Sequence, residues 1–396
     1  MHDKGSRRKF LKASAVAATA CHALAAPGTS AKTNIYSRLG LRPVINGVGV
    51  VTHLGGSIMD PEVLQAMDEA SRHFIDLIEL QQKVGARLAE LLGVPAAMVT
   101  GGAASAITFA AAACLTQGDK EKLRRLPDTS GMKNEIVQQK AHRGGYEQQV
   151  LLTGAKIVWV ETREELDRAI NERTAMMFFY NENEPLGKID RHEWISVGKD
   201  RGVPTFNDAA ADTPPLERLS QYIREGFDLV GFSGGKAIRG PQCSGMLLGR
   251  KDLIEAAIPA GSPYASIGRN MKVGKEEMVG LLVAVERYLK ADHGAVQREL
   301  ESRVTEMRKK LDTIGGLSTE RLFPPIANCV PHLLVSWDES AFRVSAGDVI
   351  RQLREGEPSI AVSGYGPRKL KISVWMMRPG EHRIVTKRLT EIFASA

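Results

Sequence analysis

Asp228-Leu229-Val230-Gly231-Phe232-Ser233-Gly234-Gly235-Lys236 is an apolar run that ends in a glycine turn and a lysine. The run predicts a buried strand, Leu229–Ser233. The turn then puts Lys236 just past the strand's carboxyl end, the edge at which open α/β sheets bind ligands. Glycines let the chain turn sharply and let a ligand approach the backbone. Ser233, three residues before the lysine, can hydrogen-bond an anion. Taken alone, S-x-x-K also describes a surface lysine in a glycine-rich turn, so its meaning rests on what surrounds it.

Outward from this point the chain alternates strand and helix patterns. Further buried strands are expected at Ala97–Thr100, Lys156–Val160, Ala175–Tyr180, Thr205–Asp208 and Gly245–Leu248. Helical spacing covers Pro61–Phe74, Leu77–Leu92, Arg163–Asn171 and Arg191–Arg201. Such alternation predicts an α/β domain with a mostly parallel sheet and helices on both faces. A long helical stretch from Val273 to Leu311 is broken near Asp292-His293-Gly294. Beyond it lie shorter strands, His332–Ser336 and Lys369–Trp375, and an amphipathic helix, His382–Phe393. The reading is a leader and linker at 1–31, an N-terminal arm at 32–60, a large domain at 61–295 and a smaller C-terminal α+β domain at 296–396. A chain of 396 residues, 43% hydrophobic and 25% charged, has the length and composition for two such cores.

Two further segments give Lys236 its chemistry. Asp208 ends a predicted strand twenty-eight residues earlier, so its carboxylate and the lysine reach the same sheet edge. A helix N-cap is the competing use of such an aspartate. Thr100-Gly101-Gly102-Ala103-Ala104-Ser105 is a small-residue turn between a strand and an Ala-rich helix, where free N–H groups bind anions. Anion cup, aspartate and lysine, in that order, match pyridoxal 5′-phosphate (PLP) enzymes of fold type I. There the carboxylate keeps the pyridine nitrogen protonated, and the ring serves as an electron sink. His142, between the cup and Asp208, stands where that fold places a ring stacked on the cofactor.

The segments Asn46–Gly56, Leu126–Glu135 and Ser233–Lys236 through Gly240-Pro241-Gln242 resemble the selenocysteine-synthase-like family, and within it the D-glucosaminate-6-phosphate ammonia-lyase group. The resemblance spans about residues 35–395. It implies that Lys236 carries PLP as a Schiff base and that Asp208 is the pyridinium partner. It also implies that Gly102, Ala103, Ala104 and Ser105 hold the phosphate and that His142 is the stacking ring. Family members often carry an arginine shortly before R-P-G-E. Here Ser373-Val374-Trp375-Met376-Met377 precedes Arg378-Pro379-Gly380-Glu381, with Trp375 in the arginine's place, which points to a less charged substrate. Thr52, His53, Arg143, Arg368 and Arg378 are the candidate substrate-binding residues, the arginines because a guanidinium grips a carboxylate in bidentate fashion. The expected reaction is an elimination with ammonia release from a small amino acid or amino-sugar acid. Racemase, aldolase, aminotransferase and seryl-tRNA selenium transferase chemistry are the alternatives on the same scaffold.

Ser6-Arg7-Arg8-Lys9-Phe10-Leu11-Lys12 before an Ala-rich run resembles a twin-arginine (Tat) export signal, with a small-residue cleavage site at Ala23-Leu24-Ala25. The expected destination is the periplasm or the exterior. Cys21 leaves lipidation open as an alternative. The formal net charge is +7; Lys4, Arg7, Arg8, Lys9 and Lys12 less Asp3 supply +4 of it, which leaves about +3 for the rest. That weak excess argues against a nucleic-acid surface. The spacings of Cys21, Cys114, Cys243 and Cys329 fit no metal or redox motif, so neither a metal nor an essential disulfide is expected. The glycine-rich segment Asn46–Gly56 reads as a loop shaped for close approach, in keeping with a homodimer or higher oligomer built around the site.

Overall fold

The computed structural model describes residues 34–395. The expected export signal, its cleavage site and Cys21 lie outside the described residues. The short helix Ile35–Arg38 belongs to a unit of its own that ends at Pro43, and the body begins at Val44.

The body's strands are β1 Val44–Gly47, β2 Ala96–Thr100, β3 Glu135–Gln139, β4 Lys156–Val160, β5 Thr174–Tyr180 and β6 Thr205–Asp208, followed by β7 Leu229–Ser233, β8 Gly245–Gly249, β9 Leu317–Leu322, β10 His332–Trp337, β11 Ser359–Gly366 and β12 Lys369–Ser373. Seven form one sheet in the order β2-β8-β7-β6-β5-β3-β4. All neighbours are parallel except β8, which runs against both β2 and β7. Successive residues in a strand point to opposite faces. Met98, Phe178 and Leu247 accordingly join one buried cluster. Their neighbours Val99, Phe179 and Leu248 join another. Both faces are covered, as a parallel sheet requires. One cover is the helix Ala103–Thr116, whose small side chains let it lie close on the strands.

The expected strands and helices are present, most within two residues of the expected ends. The C-terminal strand is shorter than expected: it stops at Ser373, and Val374–Met377 turns away with Arg303 bonded to the Val374 and Met377 carbonyls. Strand β3 escaped the sequence reading because Glu135, Gln138 and Gln139 make it look polar. All five of its residues are buried all the same. Gln138 Nε2 donates to His142 O, and Gln139 exchanges hydrogen bonds with the Ile189 backbone. A buried amide costs little when satisfied as Gln139 is, whereas Gln138 Oε1 has no partner among the described residues.

The second sheet has the order β1-β11-β12-β10-β9. Its edge strand β1 comes from the N-terminal arm and pairs parallel with β11, Val44 opposite Ser359. The arm is therefore structurally part of the C-terminal sheet.

A buried ion pair fastens the loop Pro325–Cys329 to the segment that follows β6. The Asp212 carboxylate is 1% exposed. Its Oδ1 accepts from Arg218 Nη1 and from Ala327 N, both at 2.8 Å, and its Oδ2 from Tyr222 Oη at 2.5 Å and from Asn181 Nδ2. Arg218 also donates to Pro325 O at 3.0 Å, and Asn328 N to Ala211 O at 2.8 Å. These bonds hold Ala327 and Asn328 at positive φ. Removing one partner strands the other charge away from water. Arg218→Met is expected to lower the unfolding free energy by about 3 kcal/mol. Arg72→Met, whose partner Asp68 is exposed, is expected to cost less than about 1 kcal/mol. Urea denaturation of the two variants checks the difference.

Candidate active site

Register places the ends of several strands in one row. Thr100 of β2 and Ser233 of β7 both lie opposite Gly245, and Asp208 of β6 lies opposite Gly231. A Cβ on Gly245 would sit 2.6 Å from Gly102 C, so only glycine lets the β2 turn pass. At this edge opens a cleft of about 200 Å³, lined by Thr52, Gly101, Gly102, Ala103, Ala104, Tyr146, Asp208, Ser233, Lys236 and Gln242 among others.

The lysine turn is packed to its limit. Gly234 N donates to Ser244 O, and Gly240 N to Gly234 O, each at 2.9 Å. A Cβ on Gly235 would meet Gln242 Cα at 2.6 Å. The arm closes over this turn: Ser57 Oγ donates to Gly235 O at 3.1 Å and Gln242 Nε2 to Thr52 O at 2.8 Å. Gly56, at φ +73°, would carry a Cβ 2.5 Å from Gly235 O. Lys236 is thus aimed by backbone constraints on three sides.

Burial dominates the electrostatics. Asp208 is 3% exposed, and desolvation pushes its carboxyl up to about 6, against smaller opposing pulls from Lys236 and from the Ala210 N–H, 3.1 Å from Oδ1. Desolvation lowers the Lys236 ammonium, opposed by the charges of Asp208, Glu182 and Asp212. The pair share a cavity wall but no hydrogen bond.

Several expected site residues do not reach the cleft. His142 is fully buried behind it: Nδ1 accepts from Tyr180 N at 3.3 Å, Nε2 faces Gln139, and the ring meets Phe179 edge-on at 4.5 Å. Burial holds it neutral, down to about 4. The ring that lines the cleft is Tyr146, in the next loop. Ser105 is buried one turn into the helix and does not line the cavity, whereas Gly102, Ala103 and Ala104 do. Arg143 stacks over Trp159 at 4.2 Å. Arg368 bonds the Phe342 and Val344 carbonyls and Glu339. Arg378 is exposed beyond β12, and Trp375 is buried in the core of the second sheet. Thr52 lines the cleft; its neighbour His53 is exposed on the same 3₁₀ turn and does not. Tyr146, Tyr180, Asn181 and Glu182 also line the cavity and are not among the expected site residues. The signal was the Gly144-Gly145-Tyr146 loop and the polar run directly after the β5 strand end.

The residues fit PLP. The cleft offers free N–H groups at the start of a 14-residue helix, a desolvated lysine, and a buried carboxylate in want of a cation. The profile of the L-seryl-tRNA selenium transferase family matches residues 164–309. A D-glucosaminate-6-phosphate ammonia lyase of Salmonella typhimurium is 32% identical over 91% of this chain and 98% of its own. The chain belongs to the selenocysteine-synthase-like family of PLP-dependent enzymes. A 5′-C-glycyluridine monooxygenase-decarboxylase of Streptomyces is also 32% identical, over 92% of this chain and 93% of its own. A solved structure of a D-glucosaminate-6-phosphate ammonia-lyase superposes with a TM-score of 0.81 at 31% identity, covering 92% of this chain and 99% of that one. The fold is PLP fold type I, as the three sequence elements implied.

Asp208 sets a pH test. Its folded pKa, about 6, lies above the ordinary 3.8, so the cofactor-free protein gains stability from the proton and loses it as pH rises from about 4 to 6. Two units correspond to about 3 kcal/mol. In cofactor-free protein, Asp208→Asn is expected to raise the unfolding midpoint at pH 7, with the two proteins converging near pH 4. Thermal unfolding across that range measures it.

Proposed function

We propose that this enzyme is a lyase that eliminates a β-substituent from a small amino acid or amino-sugar acid and releases ammonia. The observation that carries the reading is a desolvated lysine facing a buried carboxylate at the carboxyl edge of the sheet. The ammonia-lyase relative, matched over nearly its full length, selects elimination among the reactions that such a pair supports.

In this reading Lys236 Nζ is the attachment point for PLP. The N–H groups of Gly102–Ala104, with Ser233, hold the phosphate, and Asp208 holds the proton on the ring nitrogen. Bound PLP supplies a sink for the electron pair left when a Cα–H bond breaks. Once the substrate's amine has taken its place on PLP, Lys236 would be freed, and burial favours its neutral amine, which can take that proton. The Cβ–leaving-group bond then breaks, and Tyr146, whose hydroxyl burial keeps protonated, stands in the same cavity to supply a proton. The equally similar Streptomyces relative shows that the family also carries an oxidative decarboxylation. Product analysis separates the two, since elimination yields ammonia and a keto acid without consuming oxygen.

The arm loop at the cleft and the exposed Ile58, Leu64 and Phe74 nearby in sequence support a homodimer with the site at its boundary. The Ser6–Lys12 pattern supports Tat export to the periplasm of a protein that folds and loads its cofactor first.

Lys236→Ala is expected to abolish turnover and the cofactor's visible absorbance. In the wild type, borohydride should fix the cofactor mass on the Lys236 peptide. A variant working at the native rate overturns the assignment. Replacing Arg7 and Arg8 by Lys is expected to retain the precursor in the cytoplasm, which fractionation and immunoblotting detect. Undiminished export refutes the Tat reading.

A further inference from the structure

The cavity where Lys236 and Asp208 meet has an outer wall that the mechanism above does not exhaust. It is built from Tyr146, Tyr180, Asn181, Glu182 and Asp212, with Ala327 and the Ala209–Ala211 segment. Three carboxylates line the cavity as a whole, and two are already engaged. Asp212 is neutralised by Arg218 and held by four hydrogen bonds. Asp208 faces Lys236 and, in the reading above, the cofactor ring.

Glu182 is left over. Among the described residues its one hydrogen bond is from Tyr180 Oη, at 2.8 Å, and no cation pairs with it. It is exposed to solvent at the cavity, yet near enough that its charge raises Asp208, Lys236 and Tyr146 alike. A carboxylate offers about four lone-pair sites, and Tyr180 takes one. Because the Tyr180 proton is committed to Glu182, the phenol oxygen presents only its lone pairs to the cavity. The pair is therefore an acceptor surface, matched by groups that donate.

The rest of the lining points the same way. Among the described residues Lys236 is the only cation on either cavity wall. Arg143, Arg368 and Trp375 are engaged elsewhere. A phosphate or second carboxylate placed against Glu182 would meet a like charge with nothing to offset it, and such juxtaposition selects against a ligand.

We infer that Glu182, with Tyr180, is the specificity-determining element of this cleft, and that it selects an amine substrate whose tail carries hydroxyl or ammonium donors and no anionic group. The inference deepens the proposed function and rests on its PLP-bound amine substrate. It does not depend on elimination being the reaction.

The test is a titration of the PLP-loaded enzyme, following the cofactor's absorbance change on binding rather than product. The probes are glucosaminate, glucosaminate 6-phosphate, serine, ornithine, aspartate and phosphoserine. The wild type is expected to half-saturate with a neutral or cationic-tailed probe at a concentration at least about ten-fold lower than with its anionic counterpart. Glu182→Gln should shrink that ratio at least about five-fold, mainly by improving the anionic probes. Tyr180→Phe should weaken the hydroxylated probes about three-fold. Tighter binding of the anionic probes by the wild type, an unchanged ratio in Glu182→Gln, or no binding of any neutral or cationic probe overturns the inference. Failure of the lyase reading would instead appear in the products formed, with the binding ratios intact.

Discussion

Asp208 and Lys236 are both taken out of water in one cleft, yet they share no hydrogen bond, so each lacks the compensation that would make its charge comfortable. A buried pair in direct contact would be electrostatically settled and chemically idle. Held apart, the carboxyl is raised and the amine lowered, and both are poised for a ligand that completes them. Much of the nearby architecture serves this separation. The parallel order β5-β6-β7 fixes the two strand ends, and the crowded turn Gly234-Gly235 fixes the lysine against the arm. The Asp212–Arg218 pair fixes the loop that walls the cavity opposite.

Two buried acids stand four residues apart and meet different fates. Asp212 is surrounded by donors and a guanidinium, an arrangement that consumes its charge in structure. Asp208 receives one backbone N–H, which leaves its charge available for chemistry. The difference lies in which neighbours each can reach rather than in depth, since both are almost fully buried.

The strand-end positions of Asp208 and Lys236 were legible in the sequence because apolar runs that stop at turn residues mark carboxyl ends directly. The tight turn that opens the helix Ala103–Thr116 was legible for the same reason, from the glycines before an Ala-rich run. For His142, chain order places a residue near a site without saying which way its ring points. Hydrogen bonds from Tyr180 N and near Gln139 turn it inward, and both partners are brought in by the pairing of β3 with β5, a strand that itself read as polar. The arginines failed similarly. Arg143 found the face of Trp159, and Arg368, in the turn before β12, found the Phe342 and Val344 carbonyls, contacts with no local signature. Glu182 sits in the short 3₁₀ stretch Asn181–Leu186 and Tyr146 in a turn, where neither periodicity nor propensity marks direction.

Strand β1 has one further consequence. Val44 pairs with Ser359 across more than three hundred residues, and the arm running on from it supplies Thr52, Ser57 and Gly56 to the lysine turn. Contacts so distant in sequence form late, because the chain must close a long loop before they repay its entropy. A growing chain exposes this arm first and finds its partner strand almost last. The wall over Lys236 is thus finished only when β11 exists, so a chain cut short of it would hold the lysine, the aspartate and the glycine turn before the helix without that cover.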